Sequence, residues 1–482
     1  MPLILGAQSA TGAADVVTNS CRFNDGDAPY MKRTAGTPTD QDKYTFSCWA
    51  KRGALSGTRQ LLGNEVDGNN REFIVYTNTT DTFTYSIKVS GVETKLVTNA
   101  VYRDVSAWYH IVVAYDSGQG VAANRVKIYI NGTQKTSFST ETYPAQDLNS
   151  ILNTSGNEPT VGASWNATSS APEGHFDGYL AEVCFCDGQA YAASDFGEFD
   201  EDSPTIWKPK DVSGLTFGDN GFYLDFEDSA NLGADVSGNG NDLTETNIVA
   251  ADQATDTPSN NFCTGNPLDN YYQNAVWSEG NCNVLIATSA AGYSTCTMGM
   301  TAGKWYWEQQ GITNTGGFQV LPGIAGRMLT DATEDELGET DDCWGYYSTT
   351  GNSYNDSTQT SYGNTYVSGD IIGVAVDLDN NKLYYAKNGV WQNSGVPTSG
   401  ATGTGAISIM AANLTTMGLY LPAWTGGWGG SVGHYGLWNF GGCSAFALTS
   451  AESDGNGYGN FEYAPPSGYL ALCTKNLGSD GG

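Results

Sequence analysis

GDIIGVAVDLDNNKLYYAKNGV, residues Gly369–Val390, reads as two strands folded back on a turn. Ile371 to Asp377 and Lys382 to Lys387 are rich in β-branched and aromatic residues, the side chains that suit a pleated, half-buried surface. Between them, Leu378-Asp379-Asn380-Asn381 supplies short polar residues that permit a tight reversal. The same pattern extends outward. Gly303-Lys304-Trp305-Tyr306-Trp307-Glu308 alternates upstream. Far toward the N-terminus, Tyr44 to Trp49, Arg71 to Thr77, Thr82 to Val89, Trp108 to Asp116, Arg125 to Ile130 and Gly178 to Phe185 are strand-length runs with period-two alternation. Asn131-Gly132 is the dipeptide that tolerates positive φ at both centres of a type I′ hairpin turn. No segment keeps a helical period for long. The reading is an all-β chain of two antiparallel β-sandwich (jelly-roll) domains joined by an irregular connector.

The expected boundaries are 1–207 for the first sandwich, 208–275 for the connector, 276–450 for the second sandwich and 451–482 for a C-terminal tail. In the connector, aromatic anchors such as Phe222, Tyr223 and Phe226 are separated by turn-rich stretches, of which Asp235 to Asp242 is the densest.

Composition narrows the function. The 482 residues carry 52 acids and 21 bases, a net charge of −31, and −21 of it lies after residue 207. A polyphosphate or an anionic lipid surface repels such a chain, so no nucleic acid and no membrane insertion are expected. The apolar start, Met1 to Gly6, is too short for a signal peptide and has no basic flank, and no run is long enough to span a bilayer. The ten cysteines are thinly spread and contain no CxxC pair, and there are three histidines. They read as reduced, buried small hydrophobes rather than zinc ligands.

Three strings carry a resemblance: WYHIVVAYDSG (Trp108–Gly118), NRVKIYINGTQ (Asn124–Gln134) and FDGYLAEVCFCDGQA (Phe176–Ala190). In that order they resemble the concanavalin A-like, laminin-G-like jelly roll over roughly residues 15–200. Gly303–Glu308, the Gly369–Val390 hairpin, DDCWGYYSTTG (Asp341–Gly351) and the late LYLPAWTGG and GLWNFGG strings resemble the SPRY domain over about 276–445. The opening SCRFNDGDAPYMKRT (Ser20–Thr34), the connector and the tail Tyr463 to Leu477 are similar to a group of tailed-bacteriophage virion proteins. That resemblance implies a virion surface component, synthesised in the host cytoplasm. Its implied partners are other virion proteins and a host surface polysaccharide or receptor, and it implies homo-oligomerisation, although no heptad stalk argues for one.

No catalytic residues are assigned. A jelly-roll glycosidase needs two carboxylates on one strand face. Glu198-Phe199-Asp200-Glu201-Asp202-Ser203 ends in Ser, and Glu334 to Glu339 has the wrong central residue, so both read as solvated acidic loops. There is no GxSxG elbow and no phosphate loop. His110, inside an apolar strand, reads as a hydrogen-bonded structural residue.

Binding is the remaining class. Sugars are recognised by aromatic platforms flanked by hydroxyls and amides. Trp424, Trp428, His434 and Tyr435 sit on a Gly-rich segment and form the candidate glycan site; the alternative is that Trp424 and Trp428 plug the sandwich end or a subunit interface. Trp305, Trp307 and Trp344 lie in strand contexts and read as core. Asp225, Asp228, Asp235 and Asp242 are the candidate calcium ligands; turn-forming aspartates account for the same spacing. No other cofactor is expected. The leading expectation is a non-enzymatic phage virion surface protein, of tail-fibre or receptor-binding type, that contacts the host cell surface through glycan. The alternatives are a capsid-decorating or head-fibre protein and, third, a glycan depolymerase.

Overall fold

Lys43–Arg52, Trp108–Asp116 and Gly178–Asp187 lie side by side as antiparallel strands, with Ser47 opposite both Val112 and Cys184. The computed structural model describes residues 17–55, 57–270, 274–286, 292–314, 316–330, 336–426 and 433–480. The chain is nearly all-β and divides into two units, Gly12–Ser259 and Asn260–Gly482.

The N-terminal unit pairs an eight-stranded sheet, built on the three strands above, with a ten-stranded sheet that contains Arg59–Asp67, Asn70–Tyr76, Thr82–Val89 and Val92–Val101. Alternation decides what each strand buries. Ile111, Val113 and Tyr115 enter the core between the sheets, where Tyr44 stacks on Tyr115 and Phe185 at 5.3 and 5.1 Å. Val112, Cys184 and Cys186 face the other way, into a second cluster with Phe196, Val212 and Phe217. Gly178–Asp187 is therefore buried at every position. Asn131 and Gly132 have φ of 47° and 75° at the expected hairpin turn.

Residues 208–259, read from the sequence as connector, are woven into this unit. Phe222–Leu224 pairs with Gly178–Asp187, Gln253–Ala254 pairs with Ser20–Phe23, and Thr244–Thr246 adds an edge to the ten-stranded sheet. The reason is apolar: Phe222, Leu224, Phe226, Leu232 and Leu243 all reach the main core. Short three-residue strands between turn-rich loops carry too little periodicity to be read as sheet.

The C-terminal unit has a nine-stranded sheet, ordered through Asn283–Ile286, Tyr435–Asn439, Lys304–Ile312, Ile371–Asp377 and Lys382–Lys387. Opposite it lies a six-stranded sheet ordered Tyr293–Thr295, Leu421–Thr425, Leu321–Ala325, Cys343–Tyr346, Asn352–Asn355 and Thr358–Ser361. The diagnostic hairpin is present, with Val376 opposite Leu383 and Val374 opposite Tyr385. Trp305, Trp307, Trp344, Trp424 and Trp438 share its core. The tail belongs here too. Leu470–Ala471 pairs with Trp305 and Tyr306, and Leu472 and Leu477 are core residues. All ten cysteines are buried. No helix among the described residues is long and apolar enough to cross a membrane.

Candidate functional site

Trp424 is not a surface platform. It is 1% exposed, in the middle of Leu421–Thr425, with Ser294 and Pro322 as its strand neighbours. The glycines around it explain the burial. A Cβ on Gly436 would come within 2.5 Å of the Trp424 indole nitrogen and one on Gly426 within 2.6 Å. These glycines let strands close on the ring rather than loosen a loop. His434 is also buried at 1%. Its Nδ1 accepts the Asn314 N–H at 3.3 Å, so Nε2 carries the proton and donates to the Gly317 carbonyl at 2.9 Å. Tyr435 is half-buried at the start of Tyr435–Asn439, opposite Leu285 and Ile312. Trp428 lies outside the described residues. The expected glycan site at Trp424, His434 and Tyr435 is thus a packed junction.

The four aspartates do not gather around a common point. Asp225 accepts the Glu227 N–H, Asp228 accepts the Ala230 N–H and Asp242 accepts the Asp235 N–H. Asp235 accepts three backbone N–H groups, from Tyr223, Ser237 and Asn241, at 2.8–2.9 Å. Asx turns engage these oxygens. Among the described residues, no group of three His, Cys, Asp or Glu side chains is placed to hold a metal ion.

Of the candidate carboxylates, Glu198 and Asp200 meet at Lys208. Asp200 accepts the Asp202 and Ser203 N–H groups and pairs with Lys208 at 3.4 Å, as does Glu198 at 3.5 Å. Glu334 and Asp335 lie outside the described residues. Burial pushes two other carboxyls, Asp177 and Glu182, up to about 8. Beside Asp177 the Asp25 carboxyl adds to the effect, and at Glu182 the Tyr223 hydroxyl opposes it.

An open cleft of about 490 Å³ does occur in the C-terminal unit, and its lining was not legible in the sequence. One wall is the hairpin Asn352–Asn355 and Thr358–Ser361. Its register sets Ser353 opposite Thr360 and Asn355 opposite Thr358, so their side chains share one face. The other wall is Asn393 and Ala406 to Ser408, where Ile407–Ser408 pairs with Lys382–Lys387. Trp344 and Tyr362 contribute rings to the lining. Both are held. Trp344 packs edge-on against Tyr420 at 5.8 Å. The Tyr362 hydroxyl accepts the Tyr385 N–H at 3.1 Å, and its ring meets Tyr346 at 5.7 Å. Asn355 Nδ2 donates to the carbonyls of Thr340, Asp341 and Cys343, which fixes its amide at the base of the hairpin. At 5% and 7% exposure the Trp344 and Tyr362 rings form the buried floor of the cleft, and the hydroxyls and amides around it are the directional partners that a sugar's hydroxyls require. The volume is within the range of about 300–1,000 Å³ usual for small-molecule sites.

The chain is thus built of two antiparallel sandwiches, one of which carries a polar cleft. Residues 25–191 match the family model described as the Concanavalin A-like lectin/glucanases superfamily, and residues 304–412 match that of the SPRY domain. The chain therefore carries a concanavalin A-like domain followed by a SPRY domain. Among solved structures, the SPRY domain of human HERC1 is similar at 17% identity, covering 38% of this chain and 99% of that one, with a TM-score of 0.29. A heptameric SAP-like pentraxin from Limulus polyphemus is similar at 14% identity, covering 37% and 80%, with a TM-score of 0.28. No curated protein matches the chain.

Proposed function

We propose that this chain is a non-enzymatic virion surface protein of a tailed phage that contacts the host cell surface by binding glycan in the cleft of its SPRY unit. The observation that carries the binding part is the lining itself, in which Ser353, Asn355, Thr358, Thr360 and Asn393 surround a floor of the buried rings Trp344 and Tyr362. The virion part rests on the resemblance of the opening, connector and tail segments. Weak single-site affinity would be multiplied by many copies on one particle. The test is adsorption. Added full-length protein should compete with particles for host cells, and Thr360→Arg should remove that competition, because Thr360 is exposed and an Arg there fills the cleft without entering the core. Competition by wild type and variant alike would refute the cleft, and no competition by either would refute host contact. Release of reducing ends from host polysaccharide would instead favour a depolymerase.

A further inference from the structure

We infer that the glycan taken by this cleft carries a free amino group, an amino sugar rather than a neutral or an acidic one. The inference rests on the glycan reading above and adds the ligand's charge. Among the lining side chains there is one charged group, Asp356, and no Lys, Arg or His. Asp356 and Ser357 form the two-residue turn of the Asn352–Ser361 hairpin, with φ of 48° and 55°. The turn is pinned from behind, since the Asp356 N–H donates to the Thr340 carbonyl at 3.2 Å and the Ser357 N–H to the Gly338 carbonyl at 3.1 Å. Among the described residues, the Asp356 carboxylate forms no ion pair.

Of the cations in this unit, Arg327 is held by aspartates, whereas Lys382 is held by a hydroxyl of the cleft itself. Arg327 pairs with Asp342 at 2.7 Å and Asp341 at 3.7 Å. Lys382 Nζ donates to the Ser408 hydroxyl at 3.0 Å, on the opposite wall. The unit as a whole has 18 acids and 5 bases from residue 260 onward. A uronic acid or a phosphorylated sugar would enter a negative field and meet a carboxylate. A sugar ammonium would instead find in Asp356, on its pinned turn, an exposed carboxylate acceptor for a charge-assisted hydrogen bond, while the hydroxyls and amides of the cleft take the rest of the pyranose.

The test uses the full-length protein and three oligosaccharide probes in calorimetric titrations: glucosamine oligomers, the same oligomers fully N-acetylated, and oligogalacturonate. Glucosamine oligomers should bind about tenfold or more tighter than their N-acetylated counterparts, oligogalacturonate should not bind, and Asp356→Asn should erase the preference while leaving the melting temperature unchanged. Equal affinity for the first two probes, a preference that survives Asp356→Asn, or binding of oligogalacturonate overturns the inference. If a neutral or acidic probe binds and Thr360→Arg abolishes that binding, only the ligand's charge is wrong. If no probe binds and Thr360→Arg leaves host-surface binding intact, the cleft reading falls with it.

Discussion

The indole N–H of Trp207 donates to Nδ1 of His110 at 3.0 Å, and Nε2 of the same imidazole donates to the Ser47 hydroxyl at 3.0 Å. This chain of hydrogen bonds crosses from a segment rich in turns into the middle of a core strand. Trp207 stacks on His110 at 5.9 Å and fills the space beside Gly132, where a Cβ would come within 2.3 Å of the indole. Trp207→Phe should therefore lower the stability of the N-terminal unit by about 1–3 kcal/mol, through a buried imidazole nitrogen left without its donor. Chemical denaturation of wild type and variant measures it.

Burial holds the His110 imidazole down at about 3, against 6.5 for an ordinary histidine. The unfolded chain takes up that proton at a pH where the folded chain does not, so stability is lost as pH falls from about 6.5 toward 3. Asp177 and Glu182 act in the opposite direction. Their carboxyls stay protonated up to about 8 in the folded protein but ionise near 4 when unfolded, so stability falls as pH rises between those values. Above pH 6.5 the carboxyl effect remains without the histidine's. The melting temperature of the N-terminal unit should drop between pH 6.5 and 8, and Glu182→Gln should flatten that slope. Calorimetric scans across the range measure both.

Gly436→Ala should cost about 1–3 kcal/mol by pressing a methyl into the Trp424 ring, while an alanine at Gly418, where a Cβ meets nothing within 4 Å, loses only the ease of a φ of 71°. A larger loss at Gly436 than at Gly418 in urea unfolding is the expected result.

Asp235→Ala should destabilise the N-terminal unit by about 2 kcal/mol, since three backbone N–H groups lose their acceptor. Calcium should leave the wild-type melting temperature where it is, because those oxygens already serve the turn. Scans with and without calcium or a chelator measure this.

The strand segments were legible wherever one face is apolar for five or more residues. The Ile371–Lys387 hairpin and the Asn131-Gly132 turn are present with the expected pairing and φ values. The buried state of Trp305, Trp307 and Trp344 was legible for the same reason. Trp424 reads from the sequence as either a loop platform or a plug of the sandwich end, because glycine spacing looks the same whether it loosens a loop or makes room for a ring; its burial fits the plug. Phe222 and Leu243 were assigned to a connector because three-residue strands leave almost no period. The cleft was hidden for a different reason. Ser353, Asn355, Thr358 and Thr360 are polar on a hairpin whose sequence, NSYNDSTQTS, reads as turn. Only the register and the chain folding back at Ile407 bring them opposite Asn393 and Ser408.

In the proposed function, glycan binds in the cleft whose floor is Trp344 and Tyr362 and whose rim holds Thr360. Saturation-transfer NMR of host surface oligosaccharides against the full-length protein and its Thr360→Arg variant tests it most directly. Transfer from the protein to sugar C–H protons that disappears in a variant of unchanged melting temperature is the predicted result. No transfer with wild type, or equal transfer with the variant, would contradict it.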